Sequence, residues 1–150
     1  MTQTTENRAT SASPPAGARL VVVGAGFAGG SLLRNLPSFL RRPGETLLID
    51  RADQYAFIPL IHEVAVGRVH PDSALTPVTP DGNASYSVLR SEVTGVDLED
   101  NTLLTSSGPV KYRYLVLAPG SVAAHPPKGV ADHLQTFWCL EDAVRLRSTL

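Results

Sequence analysis

A short aliphatic run passes directly into glycines near the amino terminus, in the order Leu20-Val21-Val22-Val23-Gly24-Ala25-Gly26-Phe27-Ala28-Gly29. The four aliphatic residues are typical of a strand that is buried on both faces, as in a parallel sheet. Apolar residues at helical spacing follow from Leu32 to Leu40, and Pro37 predicts a break in that helix. The order of strand, glycine loop and helix predicts the first unit of a Rossmann-like α/β fold.

The glycine loop satisfies the pattern G-x-G-x-x-G, in which each glycine has its own task. Gly24 permits the tight turn, Gly26 lets a pyrophosphate come close to backbone N–H groups, and Gly29 lets the helix pack against the strand. The helix N-terminus then presents unpaired donors and a partial positive charge to the phosphates. The candidate nucleotide-binding residues of the loop are Gly24, Ala25, Gly26, Phe27, Ala28 and Gly29.

A second buried strand is predicted over Thr46 to Ile49, and it ends at Asp50, 21 residues after Gly29. An acid at this place accepts hydrogen bonds from a ribose hydroxyl and disfavours the extra phosphate of an NADP-type nucleotide. Arg51 follows directly and is a candidate cofactor-binding residue together with Asp50. Strand, loop, helix and acid together favour a dinucleotide site over a glycine-rich turn without a ligand.

A phosphate-binding P-loop is the other reading of the same glycines. Gly24 to Ser31 has the spacing of G-x-x-x-x-G-K-[ST], but Gly30 occupies the lysine position. Without that cation the β- and γ-phosphates lose their main charge partner, so nucleotide hydrolysis is not expected.

The composition excludes several classes of protein. The 150 residues carry 13 basic and 14 acidic side chains, and this balance lacks the excess of basic residues that is typical of nucleic-acid-binding proteins. A single cysteine, Cys139, rules out an internal disulfide framework, and the four histidines fall into no metal-ligand pattern. No apolar run is long enough to cross a bilayer and no secretory signal is present, so we expect a cytoplasmic protein.

The remainder of the chain divides into recognisable segments. Residues 1–18 are rich in Thr, Ser, Ala and Pro and predict a disordered leader, followed by one dinucleotide-binding domain over 19–150. Leu60 to Val66 predicts a short helix, and Val69 to Asn83 a loop. Apolar pieces at Tyr86–Leu89, Val93–Val96 and Leu103–Leu104, with the turn signal Asp100-Asn101 between the last two, predict a hairpin or a small antiparallel meander. A third buried strand, Tyr114–Ala118, and a closing helix that opens with Glu141-Asp142 follow.

The order and spacing of further stretches resemble the N-terminal part of type II NADH dehydrogenases, in the pyridine nucleotide-disulfide oxidoreductase superfamily. The resemblance covers nearly everything from Arg19 to Leu150. It rests on Val21–Gly29, Leu48-Ile49-Asp50-Arg51, Phe57–Gly67, Glu92–Asp97, Tyr112–Ser121 and Leu140–Arg147.

The resemblance implies that FAD, rather than NAD, occupies this domain. The glycine loop would hold the FAD pyrophosphate and Asp50 the adenosine ribose, with the backbone near Val93 facing the adenine. The turn Ala118-Pro119-Gly120 would close over the cofactor, and Phe57–Gly67 would lie towards the isoalloxazine. Two positions depart from the family pattern: Ile58 replaces a polar residue, and Pro119 supplies no N–H.

In type II NADH dehydrogenases, the family that the sequence resembles, NADH delivers hydride to the flavin, which then reduces a quinone at the membrane. No protein nucleophile is required, so no catalytic residue is nominated. The sequence holds no second G-x-G-x-x-G, and we expect the NADH domain and the C-terminal membrane region to be absent from this chain. The chain alone is then expected to bind FAD without turnover, with a C-terminal half or partner chain supplying the remainder. A stand-alone dinucleotide-binding module, or an interaction module that has lost its ligand, is the alternative.

Overall fold

The computed structural model describes residues 17–80, 86–124, 129 and 134–150. In these ranges the helices are α1 (Phe27–Arg34), α2 (Ile61–Ala65) and α3 (Leu140–Arg147), and 3-10 turns span Ile58–Leu60 and Pro71–Ala74. The strands are β1 (Gly17–Val23), β2 (Thr46–Asp50), β3 (Gln54–Ala56), β4 (Leu75–Pro77), β5 (Ser87–Arg90), β6 (Val93–Asp97), β7 (Thr102–Thr105) and β8 (Gly108–Leu117). None of the helices in the described ranges is long and apolar enough to cross a bilayer.

Six strands form one sheet in the order β5-β2-β1-β8-β7-β6. Strands β5, β2, β1 and the second half of β8 run parallel to their neighbours. Val21 and Val22 of β1 point to opposite faces and are both fully buried. One face packs against Leu33 of α1, and the other against Leu103 and Val110 from the antiparallel part of the sheet. The predicted α/β fold with a central parallel sheet is therefore confirmed.

Strand β8 joins the parallel and antiparallel parts of the sheet. Its first residues, Gly108–Lys111, pair antiparallel with β7, whereas Lys111–Leu117 pair parallel with β1. Strand β6 pairs antiparallel with β7, as the hairpin predicted from Val93–Val96 and Leu103–Leu104 requires. The meander is thus continuous with the main sheet.

Tyr86–Leu89 lies outside the hairpin, so a meander that includes this piece was the wrong alternative. Ser87–Arg90 forms β5, which lies parallel to β2 at the sheet edge instead of joining the meander. Val88 packs into the apolar cluster on one face of the sheet and Leu89 into the cluster on the other. Both side chains are therefore removed from solvent when this strand joins the parallel sheet, which has an apolar cluster on each face. A short apolar run does not reveal which neighbour it will pair with.

Tyr114–Leu117 form the end of β8 beside β1, but this run is less buried than predicted. Tyr114 is 53% exposed and Leu117 57% exposed. Helix α1 packs on residues of β1 and β2, so the described helices leave this end of β8 partly open to solvent.

Helix α1 ends where the sequence predicted an interruption. Its last residue is Arg34, three residues before Pro37, and Asn35 is the C-cap. Proline disfavours helical backbone in the residue before it, and it donates no N–H. Residues 38–40 form a turn, with the Leu40 N–H donating to the Pro37 carbonyl at 3.0 Å.

Helices α2 and α3 form a separate apolar cluster outside the main sheet. Ile61 and Val64 of α2 pack against Leu140 and Ala143 of α3, and Ala74 of a 3-10 turn joins them. Beside this cluster β3 and β4 form a two-stranded antiparallel sheet. The stretch from Val69, predicted as loop, therefore contains a 3-10 turn and strand β4, while residues 81–85 lie outside the described residues.

Strand β1 begins at Gly17, two residues before the predicted start of order at Arg19. Gly17 and Ala18 pair with Lys111 and Tyr112 of β8. This pairing uses backbone groups, so the small side chains that suggested a leader do not oppose it. The rest of the predicted leader, residues 1–16, lies outside the described residues.

Candidate functional site

The glycine loop lies against the turn that follows β8, at the carboxyl edge of the parallel strands. The Ala118 N–H donates to the Val23 carbonyl oxygen at 2.8 Å and joins the two strand ends. Gly24 has φ of +98°, and a Cβ on it would collide with the Ala118 carbonyl group. This position requires glycine both for its left-handed backbone and for the close approach of residues 118–119. Two of the candidate stretches, the loop and Ala118-Pro119-Gly120, are thus in contact.

Gly26 and Gly29 have opposite surroundings within the same turn. A Cβ on Gly29 would collide with the Gly24 carbonyl group, so helix α1 can approach the loop only with glycine there. A Cβ on Gly26 would meet no heavy atom of the described chain within 4 Å. Gly26 is also the N-cap residue of α1, and no side chain caps the helix. The backbone donors of Phe27, Ala28 and Gly29 are thereby left available to a ligand.

Asp50 ends β2 beside this loop, and its carboxylate is held from two sides. Oδ2 accepts a hydrogen bond from the Ala25 N–H at 2.7 Å, and Oδ1 accepts one from the Ala52 N–H at 2.9 Å. An ionised carboxylate has about four acceptor positions, so each oxygen retains capacity for another donor. The half-buried Asp50 is therefore a fixed acceptor at the edge of the glycine loop.

The segment that leads to Val93 reaches the same edge through Ser91. The Ser91 N–H donates to the Asp50 carbonyl oxygen at 2.9 Å. The Ser91 hydroxyl shares a hydrogen bond of 2.9 Å with the Ser106 hydroxyl and accepts one from the Ser107 N–H. Val93 begins β6, is half-buried, and pairs with Thr105. Its backbone lies two residues beyond the contact with Asp50, on the meander side of the edge.

Arg90 lies at this edge and was not anticipated from the sequence. It is the last residue of β5 and the register partner of Asp50. Its Nε donates to the Arg51 carbonyl oxygen at 3.4 Å, and its Nη1 pairs with Asp53 Oδ2 at 3.2 Å. The predicted candidate Arg51 has an exposed side chain and contributes its backbone to this contact. The signal that could have found Arg90 is its position after a strand, but the predicted meander placed that strand elsewhere.

Phe27 connects the glycine loop with the segment Phe57–Gly67. The rings of Phe27 and Phe57 lie 5.4 Å apart between centroids, tilted by 47°. Phe27 is nevertheless 49% exposed, and so the pair forms an apolar surface beside the loop. Helix α2 follows, and Gly67 after it has φ of +76°, as its predicted place near the helix end requires.

A metal site and a reactive thiol have requirements that can be compared with the described residues. In the described ranges no three His, Cys, Asp or Glu residues come together in a group that could hold a metal ion. Cys139 is a half-buried free cysteine directly before α3, and burial raises the pKa of its thiol.

Comparison with known proteins identifies the family. The family described as pyridine nucleotide-disulphide oxidoreductase matches residues 18–150. A relative from Arabidopsis thaliana, the external alternative NAD(P)H-ubiquinone oxidoreductase B2, mitochondrial, is 30% identical over 146 residues. That match covers 88% of this chain and 25% of the relative, so the chain spans about a quarter of the relative's length.

Solved structures share the fold. The sulfide:quinone oxidoreductase of the hyperthermophilic bacterium Aquifex aeolicus superposes with a TM-score of 0.73 at 24% identity, covering 89% of this chain and 31% of that chain. NDH2 from Plasmodium falciparum, in complex with RYL-552, gives a TM-score of 0.70 at 20% identity, covering 87% of this chain and 28% of that chain.

The resemblance found in the sequence is therefore confirmed at the level of the family, whose members imply a flavin cofactor. In this chain the glycine loop, helix α1 and the acid that ends β2 lie together at one edge of the sheet. The chain belongs to the pyridine nucleotide-disulphide oxidoreductase family and is a domain of the FAD/NAD(P)H oxidoreductase type.

Proposed function

We propose that this chain is the FAD-binding portion of an NADH dehydrogenase-like flavoprotein that passes electrons from NADH through FAD to a quinone. By itself the chain binds FAD without turnover. The observation that carries the proposal is the uncapped N-terminus of α1, with open space at Gly26 and a fixed carboxylate beside it. This combination offers donors to a diphosphate and an acceptor to a sugar hydroxyl.

The residues present fit the polar parts of FAD. Within the loop Gly24–Gly29, the free backbone donors of Phe27, Ala28 and Gly29 would hold the pyrophosphate, because the N–H groups of Gly24 and Ala25 already donate to Ile49 and Asp50. The space above Gly26 admits a phosphate that any larger side chain would exclude. Asp50 retains acceptor capacity for the adenosine ribose. The backbone around Val93 would face the adenine, and Arg51 would border the site beside Asp50.

The flavin end of the cofactor would lie towards the segment Phe57–Gly67 and the turn Ala118–Gly120. When bound, the isoalloxazine supplies the hydride chemistry, and the protein contributes placement and exclusion of water. The exposed Phe27–Phe57 pair provides an apolar surface beside the phosphate loop. Pro119 has no N–H and the Ala118 N–H already donates to Val23, so a backbone N–H donor to the flavin from this turn must come from Gly120 or Ser121.

Two similarities support NADH as donor and a quinone as acceptor. The relative from Arabidopsis thaliana is named for NAD(P)H and ubiquinone, and the structure from Aquifex aeolicus is named for a quinone. Because this chain spans about a quarter to a third of those proteins, the NADH domain and quinone site would come from a C-terminal half or a partner chain. We place this domain in the cytoplasm, with the complete protein peripheral on the cytoplasmic membrane.

The test is retention of FAD by the purified 150-residue chain. The chain is incubated with excess FAD and desalted, and the visible flavin band and the circular dichroism are recorded. We expect a folded protein that retains the flavin. Asp50→Ala should reduce retention about tenfold, the usual cost of a lost hydrogen bond to a charged group. The control Asp72→Ala removes an exposed carboxylate of a 3-10 turn and should retain as much flavin as the unaltered chain.

Three outcomes would contradict the proposal or part of it. A folded, colourless protein would favour the alternative, an interaction module that keeps the fold without the ligand. A chain that does not fold with FAD present would contradict independent binding and assign the site to an assembly with the missing half. Equal retention by Asp50→Ala and the unaltered chain would remove the ribose from the proposed contacts.

A further inference from the structure

Arg90 closes a small network around the turn that follows Asp50. Its guanidinium contacts two groups of that turn, the Arg51 carbonyl oxygen at 3.4 Å and the Asp53 carboxylate at 3.2 Å. Between these two residues lies Ala52, whose N–H donates to Asp50 Oδ1 at 2.9 Å. The arginine therefore holds the turn on both sides of the donor that orients the Asp50 carboxylate.

The strands explain why this arrangement forms. Asp50 and Arg90 are register partners at the carboxyl ends of the parallel strands β2 and β5. The side chain of Arg90 reaches across the edge to the turn, while the Ser91 N–H fixes the Asp50 carbonyl oxygen from the same strand end. Arg90 and Ser91 thus together hold the backbone that directly follows the Asp50 side chain.

We propose that Arg90 is a positioning residue that sets the orientation of Asp50 towards a ribose 2′-hydroxyl, and so contributes to the recognition of ribonucleotide diphosphates. The inference rests on the proposed function, because it assigns a partner to the adenosine-side carboxylate. Arg90 acts here through the turn, at Arg51 and Asp53, and not through contact with the nucleotide.

Exposure separates this role from a general structural one. Both Arg90 and Asp53 have largely exposed side chains, and an exposed ion pair contributes little to folding free energy. The loss of Arg90 should therefore leave the thermal unfolding temperature nearly unchanged. What it frees is the 51–53 turn, and with it the direction in which the second acceptor position of Asp50 Oδ1 points.

The experiment compares two probes, ADP and 2′-deoxy-ADP, by titration calorimetry with the full chain. They share the diphosphate and base and differ in the hydroxyl that the acid recognises. We expect the unaltered chain to prefer ADP by about tenfold, as for a hydrogen bond to a charged group. Arg90→Ala should reduce this preference to about threefold or less, through a loss of ADP affinity.

Asp53→Ala tests the route through the turn, because it removes an anchor and keeps the arginine. It should reduce the preference for ADP as Arg90→Ala does, and the double variant should add little to either single change. Arg19→Ala is the matched control, since it removes another exposed arginine that pairs with a carboxylate, Glu45, near the amino end of β1. Its preference for ADP should equal that of the unaltered chain.

Each contrary result has its own meaning. If Arg90→Ala keeps the full preference for ADP, the inference is wrong and the proposed function stands. If Arg90→Ala weakens both probes equally while Asp53→Ala changes neither, Arg90 contacts the nucleotide directly and the positioning role is overturned. If the unaltered chain binds neither probe, the proposed function fails and the inference fails with it.

Discussion

Gly26 lies where the helix and a ligand have competing needs. The residue is the N-cap of α1, a position at which serine is favoured because its hydroxyl accepts from the first turn. Its φ of −65° and ψ of −162° are open to any residue, so backbone strain does not demand glycine here. Glycine is needed here for another reason: a side chain would fill the free space through which a phosphate approaches the backbone.

Gly26→Ser should therefore stabilise the unliganded fold and weaken FAD binding. The serine hydroxyl would cap α1, and this should raise the free energy of unfolding by about a few tenths of a kcal/mol relative to glycine. The same side chain occupies the space above the loop and takes one of its donors, so FAD affinity should fall about tenfold or more. Thermal unfolding without ligand and quenching of FAD fluorescence measure the two effects.

Gly30→Ala is the matched control one turn further along α1. A Cβ there meets its nearest neighbours at 3.5 Å, an ordinary contact. Replacing a helical glycine by alanine should stabilise the fold by about 0.5–1 kcal/mol and leave FAD affinity unchanged. If Gly26→Ser bound FAD as tightly as Gly30→Ala, the phosphate would not lie over the loop.

At the scale of elements, Asp142 attaches α3 to the segment before it. The side chain is buried, and its oxygens accept from the Thr136 hydroxyl at 2.9 Å and the Trp138 N–H at 2.9 Å. These hydrogen bonds lower the pKa of Asp142, and the bond from the Trp138 N–H has the largest effect. The sequence predicted an acid in the first turn of a helix, but not that it would hold residues outside the helix.

The pH dependence of stability follows from the direction of this shift. Because the pKa of Asp142 is lower in the folded state than its unfolded value of about 3.9, its contribution is complete above that pH and is lost as pH falls through the folded pKa. Asp142→Asn replaces one of the two acceptor oxygens by an NH2 donor, so one of the two bonds is lost and the unfolding temperature at pH 7 should fall. The difference from the unaltered chain should shrink as the pH falls below about 4.

Glu141→Gln is the control for this prediction, since Glu141 is an exposed acid in the same turn of α3. It removes one negative charge near the helix N-terminus and leaves the bonds to Asp142 in place. Thermal unfolding of the three proteins at several pH values decides the matter. A pH-independent difference for Asp142→Asn would mean that packing, and not the carboxylate, holds α3.

On the scale of the whole molecule, the sequence carries the glycine pattern of one nucleotide loop. The pattern G-x-G-x-x-G occurs once, at Gly24–Gly29. The last strand of the parallel sheet keeps Tyr114 and Leu117 more than half exposed. The chain spans about a quarter of the relative from Arabidopsis thaliana.

We therefore expect that NADH will not reduce FAD held by this chain. The physical reason is proximity: hydride transfer needs the nicotinamide held close to the flavin, and a second nucleotide site provides that placement. NADH is added to the FAD-loaded chain under anaerobic conditions, and the absorbance of the oxidised flavin band is followed. Dithionite serves as the control, since it should bleach the same band without a binding site. Bleaching by NADH at a rate well above that of free FAD would overturn this account.

The sequence by itself determined the features that depend on neighbouring residues. Strand, glycine loop and helix follow one another within 20–34, and their propensities and the glycine spacing act over a few positions. The end of α1 before Pro37 and the turn at Gly67 are local in the same sense. The placement of Asp50 also followed, because a strand end after the first helix lies at the same sheet edge.

Only the tertiary structure decided the contacts between distant segments. The carbonyl that forbids a side chain at Gly24 belongs to Ala118, and the strand that brings Arg90 to Asp50 pairs with β2 and not with the meander. A short apolar strand carries no mark of its partner, since parallel and antiparallel pairing use the same backbone groups. The pairing is chosen by which faces the remainder of the chain covers, so the detail of the site around its acid became visible only in the folded molecule.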